Sequence, residues 1–580
     1  MADSGAMSAR LAPCVVRPNT RDPLAERLIG PGRRFEIEEA LVSGVPQQIF
    51  KGAVRNLARI FTTAAAYGAR PMIVHDGVQL SYAEVFARSA ALARALREQF
   101  GVRPGTRVAI VASNRPEWII SLIAVTAAGG IAALVNSRGA AEEMLRAMAV
   151  TDCALAILDA ERAAVIAGDL ADPPWPRIVI GGATAALRPG RDADFAALAA
   201  PVPGLALAPL AMDPQDGALI LFTSGTTGFP KGALLSHGAL AHAASLSAVM
   251  GALQDLRYAE EVGEPVAESS MASPAVILSP MFHLSGMLPV VRGISLGAAI
   301  HIMSRWNADT AFDMIETTGL SRLAFVPTML WDMLNSPRAT PQTLAAVQNL
   351  AYGGAPMNRG LVDEIRRRMP KSLITNTYGQ SENAGWACSL SGRPYLENPD
   401  SCGWACPTVQ VCVRRDDGTQ ADIGEAGELW VRSAMVMTEY VGDPEATAQT
   451  LMDGWCATGD IGVVDENGLF TIVDRKKNMV ISGGENIYCA EIERVLFDHP
   501  DVREAIAYGA PDPRLGERLI ATVVLQPQAE IGEDELMAYC RRRLAPYKTP
   551  RRMVLTREPL ARTASGKIDR RAFLSPARAG

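Results

Sequence analysis

Residues 221–232 read LFTSGTTGFPKG, which places four hydroxyls, three glycines and one lysine in a single short run. Thr223, Ser224, Thr226 and Thr227 offer the hydroxyls, and Lys231 adds a point charge. Gly225 and Gly228 allow successive backbone N–H groups to converge on an anion. Such a composition grips phosphate. A second cation, Lys567, stands near the end of the chain in RTASGKIDR, flanked by Ser565 and Gly566. A loop that holds a polyphosphate and a distant lysine that can swing to it imply nucleotide-driven activation of a substrate.

The loop is not a Walker loop. In G-x-x-x-x-G-K-[ST] a helix begins directly behind the lysine, whereas here Pro230 precedes Lys231 and Gly232 follows it. Residues 219–222 form an apolar run that reads as a buried strand, so the loop is expected to emerge from a sheet edge.

The elements that must position these groups alternate along the chain. Ser81 and Glu84 form a capping box, each able to satisfy the other's free N–H, and open a helix expected to stop at Gly101. Residues 107–112 (RVAIVA) read as a strand. The apolar run 118–135 is broken by Ser121, Thr126 and Gly129-Gly130 and barely reaches the ~20 residues of a membrane span, so it reads as a buried helix, a turn and a core strand. Alternation of this kind indicates an α/β fold with sheets covered by helices. Residues 253–273 are acidic and weakly patterned and read as a surface insertion; residues 1–34 read as a loose leader.

Near Asp460 the texture changes. Two short strand patterns at 461–464 and 469–473 are joined by Asp465-Glu466-Asn467-Gly468, whose Asn-Gly pair favours a hairpin. The wholly polar run 474–478 suits an exposed linker, and a fresh α+β pattern follows it, with one helix face marked by Ile492, Val495 and Leu496 and another by Leu536, Cys540 and Leu544. The expected division is a large N-terminal domain of packed β-sheets with covering helices, residues 1–475, and a small mobile α+β C-terminal domain, residues 476–580.

Bulk properties bound the function. A chain of 580 residues exceeds one core, and its net charge of −6 lacks the basic field of a nucleic-acid binder. Nine scattered cysteines and no secretory signal point to reduced thiols and a cytoplasmic location. Cys388, Cys402, Cys406 and Cys412 fall in one region, yet lack paired C-x2-C knuckles or a nearby histidine, which argues against zinc.

Five ordered motifs, LFTSGTTGFPKG, NTYGQSE (376–382), ATGD (457–460), DRKKNMVISGGENI (474–487) and RTASGKIDR (562–570), resemble those of the adenylate-forming acyl-CoA synthetases, which also include peptide-synthetase adenylation domains and beetle luciferase. The resemblance covers the chain from about Leu80 onward. It implies that a carboxylic acid and ATP give an acyl-adenylate and pyrophosphate, and that coenzyme A then takes the acyl group. On this resemblance Thr223, Ser224, Gly225, Thr226, Thr227, Gly228 and Lys231 would hold the β- and γ-phosphates. Gly353, Gly354, Ala355 and Pro356 would line the adenine slot, with Tyr378 stacked on the base, Asn376 at its edge, and Gly379, Gln380 and Ser381 completing the nucleotide wall. Glu382 would bind Mg²⁺, aided by Thr223; Asp460 and Arg475 would bond the ribose hydroxyls; Lys477 would be the hinge. Lys567 would bridge the substrate carboxylate and the α-phosphate, a sensible place for a cation because the reaction crowds anions together. Gly483 and Gly484 would line the thiol channel after domain rotation.

His283, in SPMFHLSGM, reads either as a satisfied core histidine or as a wall of the acyl pocket; the resemblance favours the pocket. The small residues Ala384 and Gly385 imply room there for a long chain or a bulky ring. A medium- or long-chain fatty acid is therefore expected, with aryl or steroid-like acids next and a stand-alone ligase loading a carrier protein as a further alternative. A luciferase-like oxygenase and a nucleotide-binding scaffold without turnover are weaker rivals, the second because Lys231, Glu382, Asp460 and Lys567 are all present. A homodimer is left open.

Overall fold

The computed structural model describes residues 20–169, 173–181, 187, 188, 190–223, 231–264, 273–354, 357, 359–482, 485–562 and 568–574. It is an α/β molecule of several sheets, with a large sheet-rich body followed by a smaller α+β sheet.

At its centre is an eight-stranded sheet in the order Glu439–Tyr440, Lys231–Ser236, Gly217–Thr223, Ile131–Leu134, Arg107–Val111, Leu155–Asp159, Arg177–Ile180, Asp192–Asp194. The strands from Gly217–Thr223 to Asp192–Asp194 pair in parallel, and parallel strands need cover on both faces. The sequence provides it by alternation. Val108 and Ile110 pack into the core shared with the helix Pro116–Ala127, while Ala109 and Val111 pack into the opposite core with Met144, Met148 and Ile166. The run 118–135 is thus the expected helix, turn and strand, with Trp118 fully buried. Among the described residues no helix is long and apolar enough to cross a membrane.

A second sheet runs Arg322–Phe325, Asn349–Gly353, Leu373–Tyr378, Cys388–Ser391, Trp404–Ala405. A third holds Gln410–Arg414, Gly427–Arg432, Trp455–Val464 and Leu451–Met452, with Phe470–Arg475 paired to Trp455–Val464. The small sheet that follows comprises Val480–Ser482, Glu485–Ile487, Val502–Asp512, Gly516–Leu525 and Arg552–Thr556, and it has its own core around Ile492, Leu496 and Leu536.

Local chemistry explains the boundaries. The Ser81–Glu84 capping box forms in both directions, with Ser81 N–H donating to Glu84 at 2.8 Å and Glu84 N–H to Ser81 at 3.2 Å, and the helix runs Tyr82–Glu98. Asp465 accepts from the Asn467 and Leu469 amides and Gly468 takes φ +76°, which closes the hairpin between Val464 and Phe470.

Three expectations need correction. Residues 20–29 are not a loose leader, because Ala25 and Ile29 are buried, Ala405 N–H donates to Thr20, and Asp22 pairs with Arg257 at 2.6 Å. The first part of the supposed 253–273 insertion continues the long helix His237–Val262, burying Leu253 and Tyr258 against the body; residues 265–272 lie outside the described residues. Asp474 does not belong to an exposed linker. It is 4% exposed, accepts from the amides of Arg475 and Ala490, and its carboxyl is pushed above the usual range by burial.

Ser81→Ala removes one side of the capping box and is expected to cost the helix Tyr82–Glu98 about 1 kcal/mol. Hydrogen exchange followed by mass spectrometry should show faster labelling of its first turn. Unchanged protection there would contradict the role given to the cap.

Candidate active site

The run expected to grip phosphate connects two paired strands. Gly217–Thr223 pairs antiparallel with Lys231–Ser236, and Thr223 lies opposite Lys231, so the two ends of the loop meet at the sheet edge. Ser224, Gly225, Thr226, Thr227 and Gly228 lie outside the described residues. No helix follows the lysine directly; a strand does, in keeping with the departure from the Walker pattern.

Lys231 is held from two sides. Its Nζ lies 3.3 Å from Asp443 Oδ2 and 5.2 Å from the centre of the Tyr440 ring. The Tyr440 hydroxyl donates to Glu382 Oε1 at 2.7 Å. Tyr440 gets there because the strand Glu439–Tyr440 pairs with the hairpin, opposite Ala233. Burial and the Glu382 carboxylate raise the Tyr440 hydroxyl's pKa well above the phenol range. Asp443 begins the helix Pro444–Thr450, and the Ala446 amide first, with Lys231 second among the stabilising contacts, lowers its carboxyl below the usual range. Glu382 sits in the short turn Ser381–Asn383, which lies against both strands of the hairpin.

A second cluster gathers on Asp460, which is 2% exposed. Its Oδ2 accepts from the Tyr378 hydroxyl at 2.6 Å and from Gln380 Nε2 at 2.6 Å, and its Oδ1 lies 2.8 Å from Arg475 Nε. Asp460 and Arg475 are cross-strand neighbours, so the sheet itself sets that pair. Burial and Asp460 raise the Tyr378 hydroxyl's pKa well above its ordinary value. Asn376 lies two residues before Tyr378 on the strand Leu373–Tyr378, and its Nδ2 donates to the Ser401 carbonyl at 3.0 Å. Gly379 is required by close packing, since a Cβ there would lie 2.2 Å from the Gly385 carbonyl. Gly354 is exposed with φ +77° and open space around it; Ala355 and Pro356 lie outside the described residues.

The expected acyl-pocket residues are close together but less roomy than their sizes suggest. His283 caps the helix Leu284–Leu296, with its ring 4.4 Å from that of Phe282. Ala384 is fully buried, and a Cβ on Gly385 would meet Leu284 Cδ2 at 2.4 Å. Leu284 therefore occupies the space that the glycine seemed to leave open.

Gly483, Gly484 and Lys567 lie outside the described residues, and of Lys477 only the backbone, in the turn Lys476–Asn478, is described. The flanks of Lys567 are fixed: Arg562 pairs with Ile568, and Arg570 bonds Glu493 at 2.6 and 2.7 Å and the Ala507 carbonyl at 2.9 Å.

A divalent cation can be tested against these residues. Among the described residues no group of three or more His, Cys, Asp or Glu could hold a metal ion, and Glu382 Oε2 has no hydrogen-bond donor. One carboxylate oxygen beside a phosphate loop fits Mg²⁺, which binds through one or two carboxylates plus phosphate oxygens and water. Cys388, Cys402 and Cys406 are free thiols in the main core, while Cys412 packs with Trp430 and Trp455.

Sequence reasoning does not reach Tyr440 and Asp443. The run Asp443-Pro444-Glu445 announces a helix start, and nothing in the spacing tells that a two-residue strand beside it joins the hairpin.

Residues 60–441 match the family described as AMP-binding enzyme, and residues 491–567 match the AMP-binding enzyme C-terminal domain. A feruloyl-CoA synthase from Amycolatopsis sp is 34% identical over 498 residues, covering 85% of this chain and 93% of that protein. The long-chain-fatty-acid–CoA ligase FadD13 of Mycobacterium tuberculosis is 31% identical over 494 residues, covering 85% and 92%. The o-succinylbenzoate CoA synthetase MenE of Bacillus subtilis, solved with its acyl-adenylate intermediate, superposes with a TM-score of 0.75 at 26% identity over 89% of this chain and 97% of that one.

Gly379→Ala is expected to force the 379–386 turn away from Tyr378 and Asp460, because the new Cβ meets backbone rather than a flexible side chain. Overpacking of this kind costs about 1–3 kcal/mol. A thermal-unfolding midpoint equal to that of the wild type would show that the turn has slack the structure does not show.

Proposed function

The chain belongs to the AMP-binding enzyme family, where it is an ATP-dependent, AMP-forming carboxylate–CoA ligase using ATP, Mg²⁺ and coenzyme A, and we propose that its acid is a compact aryl-type carboxylic acid. The carrying observation is the contact between Leu284 and Gly385, which leaves no open space at that glycine. A feruloyl-CoA synthase among the relatives supports this reading. A medium- or long-chain fatty acid is the second reading, favoured by the 31% identity to a long-chain-fatty-acid–CoA ligase.

In the proposed mechanism the substrate carboxylate attacks the α-phosphorus of ATP and pyrophosphate leaves, giving a mixed anhydride. The thiolate of coenzyme A then attacks the acyl carbonyl and AMP leaves. Thr223 and Lys231, opposite each other across the hairpin, would hold the β- and γ-phosphates together with the loop between them. Tyr378 would stack on adenine while its hydroxyl stays on Asp460, and Asp460 with Arg475 would bind the ribose hydroxyls. Glu382, helped by Thr223, would hold Mg²⁺, which supplies charge neutralisation at the phosphates. Lys567 would bridge the carboxylate and the α-phosphate, placing a cation where two anions must approach. Residues 1–475 would form the adenylation domain and residues 476–580 a lid that turns about Lys477, exchanging Lys567 for the Gly483-Gly484 segment at the acyl group.

Three outcomes test this. Pyrophosphate release over a panel of cinnamic, arylacetic and C8–C18 fatty acids should give the highest kcat/KM for an aryl acid, and Leu284→Ala should raise kcat/KM for longer acids by about tenfold or more, since the change removes three carbons and room for even one methylene is worth about 1–3 kcal/mol. A wild type that prefers a C12 or longer chain refutes the compact pocket. Lys567→Ala should abolish adenylate formation yet spare thioester formation from supplied acyl-adenylate; equal loss of both half-reactions contradicts the role given to that lysine.

A further inference from the structure

Tyr440 stands between two groups of opposite charge that the reaction must keep apart. Its hydroxyl donates to Glu382 Oε1 at 2.7 Å, and its ring lies under Lys231 Nζ at 5.2 Å. The residue is 8% exposed and its backbone is fixed: it pairs with Ala233, its N–H donates to Thr447 Oγ1 at 2.9 Å, and the next amide, that of Val441, donates to the Gly232 carbonyl at 2.9 Å. Three residues on, Asp443 takes Lys231 at 3.3 Å.

An unshielded lysine and glutamate in one small site would pair with each other, and that pair would have to be broken before a triphosphate and its cation could enter. Here the lysine pairs with Asp443 instead, through side chains 23% and 40% exposed, an interaction weak enough to be exchanged for phosphate oxygens. The ring face beneath the lysine attracts it without neutralising it. A neutral hydroxyl orients Glu382 through one oxygen and adds no positive charge to compete with a metal ion for the other.

We propose that Tyr440 is a positioning residue for adenylation, orienting Glu382 so that Oε2 is presented to the divalent cation and seating Lys231 on its ring beside the phosphate loop. The inference rests on the assignment of Lys231 and Glu382 to the triphosphate and its cation, and it adds to that reading a residue that acts through those two side chains.

The test separates the two faces of the ring. With the acid omitted, Mn²⁺ binding in the presence of ATP is followed by electron paramagnetic resonance, and ATP binding in EDTA by equilibrium dialysis. Tyr440→Phe keeps the ring and loses the hydroxyl: ATP binding in EDTA should stay at the wild-type value, while the Mn²⁺ dissociation constant rises about tenfold, the scale of a hydrogen bond to a charged group. Tyr440→Leu should weaken both. Mn²⁺ affinity of Tyr440→Phe equal to that of wild type overturns the proposal, as does unchanged ATP binding in EDTA by a folded Tyr440→Leu; if Tyr440→Leu does not fold, Tyr440→Phe alone decides. Glu382→Gln serves as the control on the underlying assignment. If it leaves Mn²⁺ binding intact, the assignment itself fails; if it abolishes binding while Tyr440→Phe does not weaken it, only the role of Tyr440 fails.

Discussion

A buried carboxylate needs partners, and Asp460 shows how that demand assembles a site. At 2% exposure its charge is costly unless donors surround it, and the donors come from two separate stretches of chain: Tyr378 and Gln380 at the end of one sheet, and Arg475 across the hairpin. Satisfying one group therefore joins the second and third sheets along the wall proposed for the nucleotide. Asp460 is also well suited to the ribose, because a carboxylate already aligned by Tyr378, Gln380 and Arg475 loses little freedom when further hydroxyls arrive. The same carboxylate keeps the Tyr378 ring in place, by accepting the proton of its hydroxyl.

The hairpin at 223–231 obeys a different rule. Its register is set by main-chain pairing that does not depend on which residues occupy the loop, and it puts Thr223 opposite Lys231 whatever the loop does. The strand Glu439–Tyr440 extends that sheet by two residues only. Those two are enough to carry a ring and, by way of the following helix cap, a carboxylate to the far side of the lysine. Backbone pairing thus delivers charge with a precision that long side chains alone would not have.

Much of this is legible in the sequence. The strand before the loop, the capping box at Ser81, the helix and strand of 118–135 and the hairpin after Asp460 all follow from local patterns, because each depends on residues near one another in sequence. The candidate residues of five motifs were legible through resemblance, and Tyr378, Gln380, Asp460 and Arg475 do meet. What could not be read depends on distant packing. Acidic residues 253–262 hide a helix whose buried face is set by the body it rests on. Gly385 looks like open space until Leu284, a hundred residues earlier, is seen to fill it. Asp474 looks solvated in a run of charges, yet a later amide, that of Ala490, draws it under the surface. Small or polar residues state only what is permitted; their neighbours decide what is made of them.

The connection between the large body and the small sheet carries the last step of the argument. A reaction in two stages at one site needs the proposed lid to change place without unfolding, so the ties across it must be few and weak relative to the cores on either side. Among the described residues the polar ties are few. Asp474 accepts the Ala490 amide at 2.9 Å, and Arg494 lies 3.5 Å from Asp400 at the surface. The linker lysine, Lys476, holds instead to Asp416 and Glu428 of the large body. By contrast, the Arg570–Glu493 pair lies wholly within the small sheet, where Glu493 also accepts the Ala507 amide. Arg562 pairs with Glu504 at 2.8 Å, so Lys567 is flanked on both sides by residues tied to the small sheet. Its arrival at and departure from the adenylate would then follow motion of the lid as a body, which a small number of ties to the large body allows.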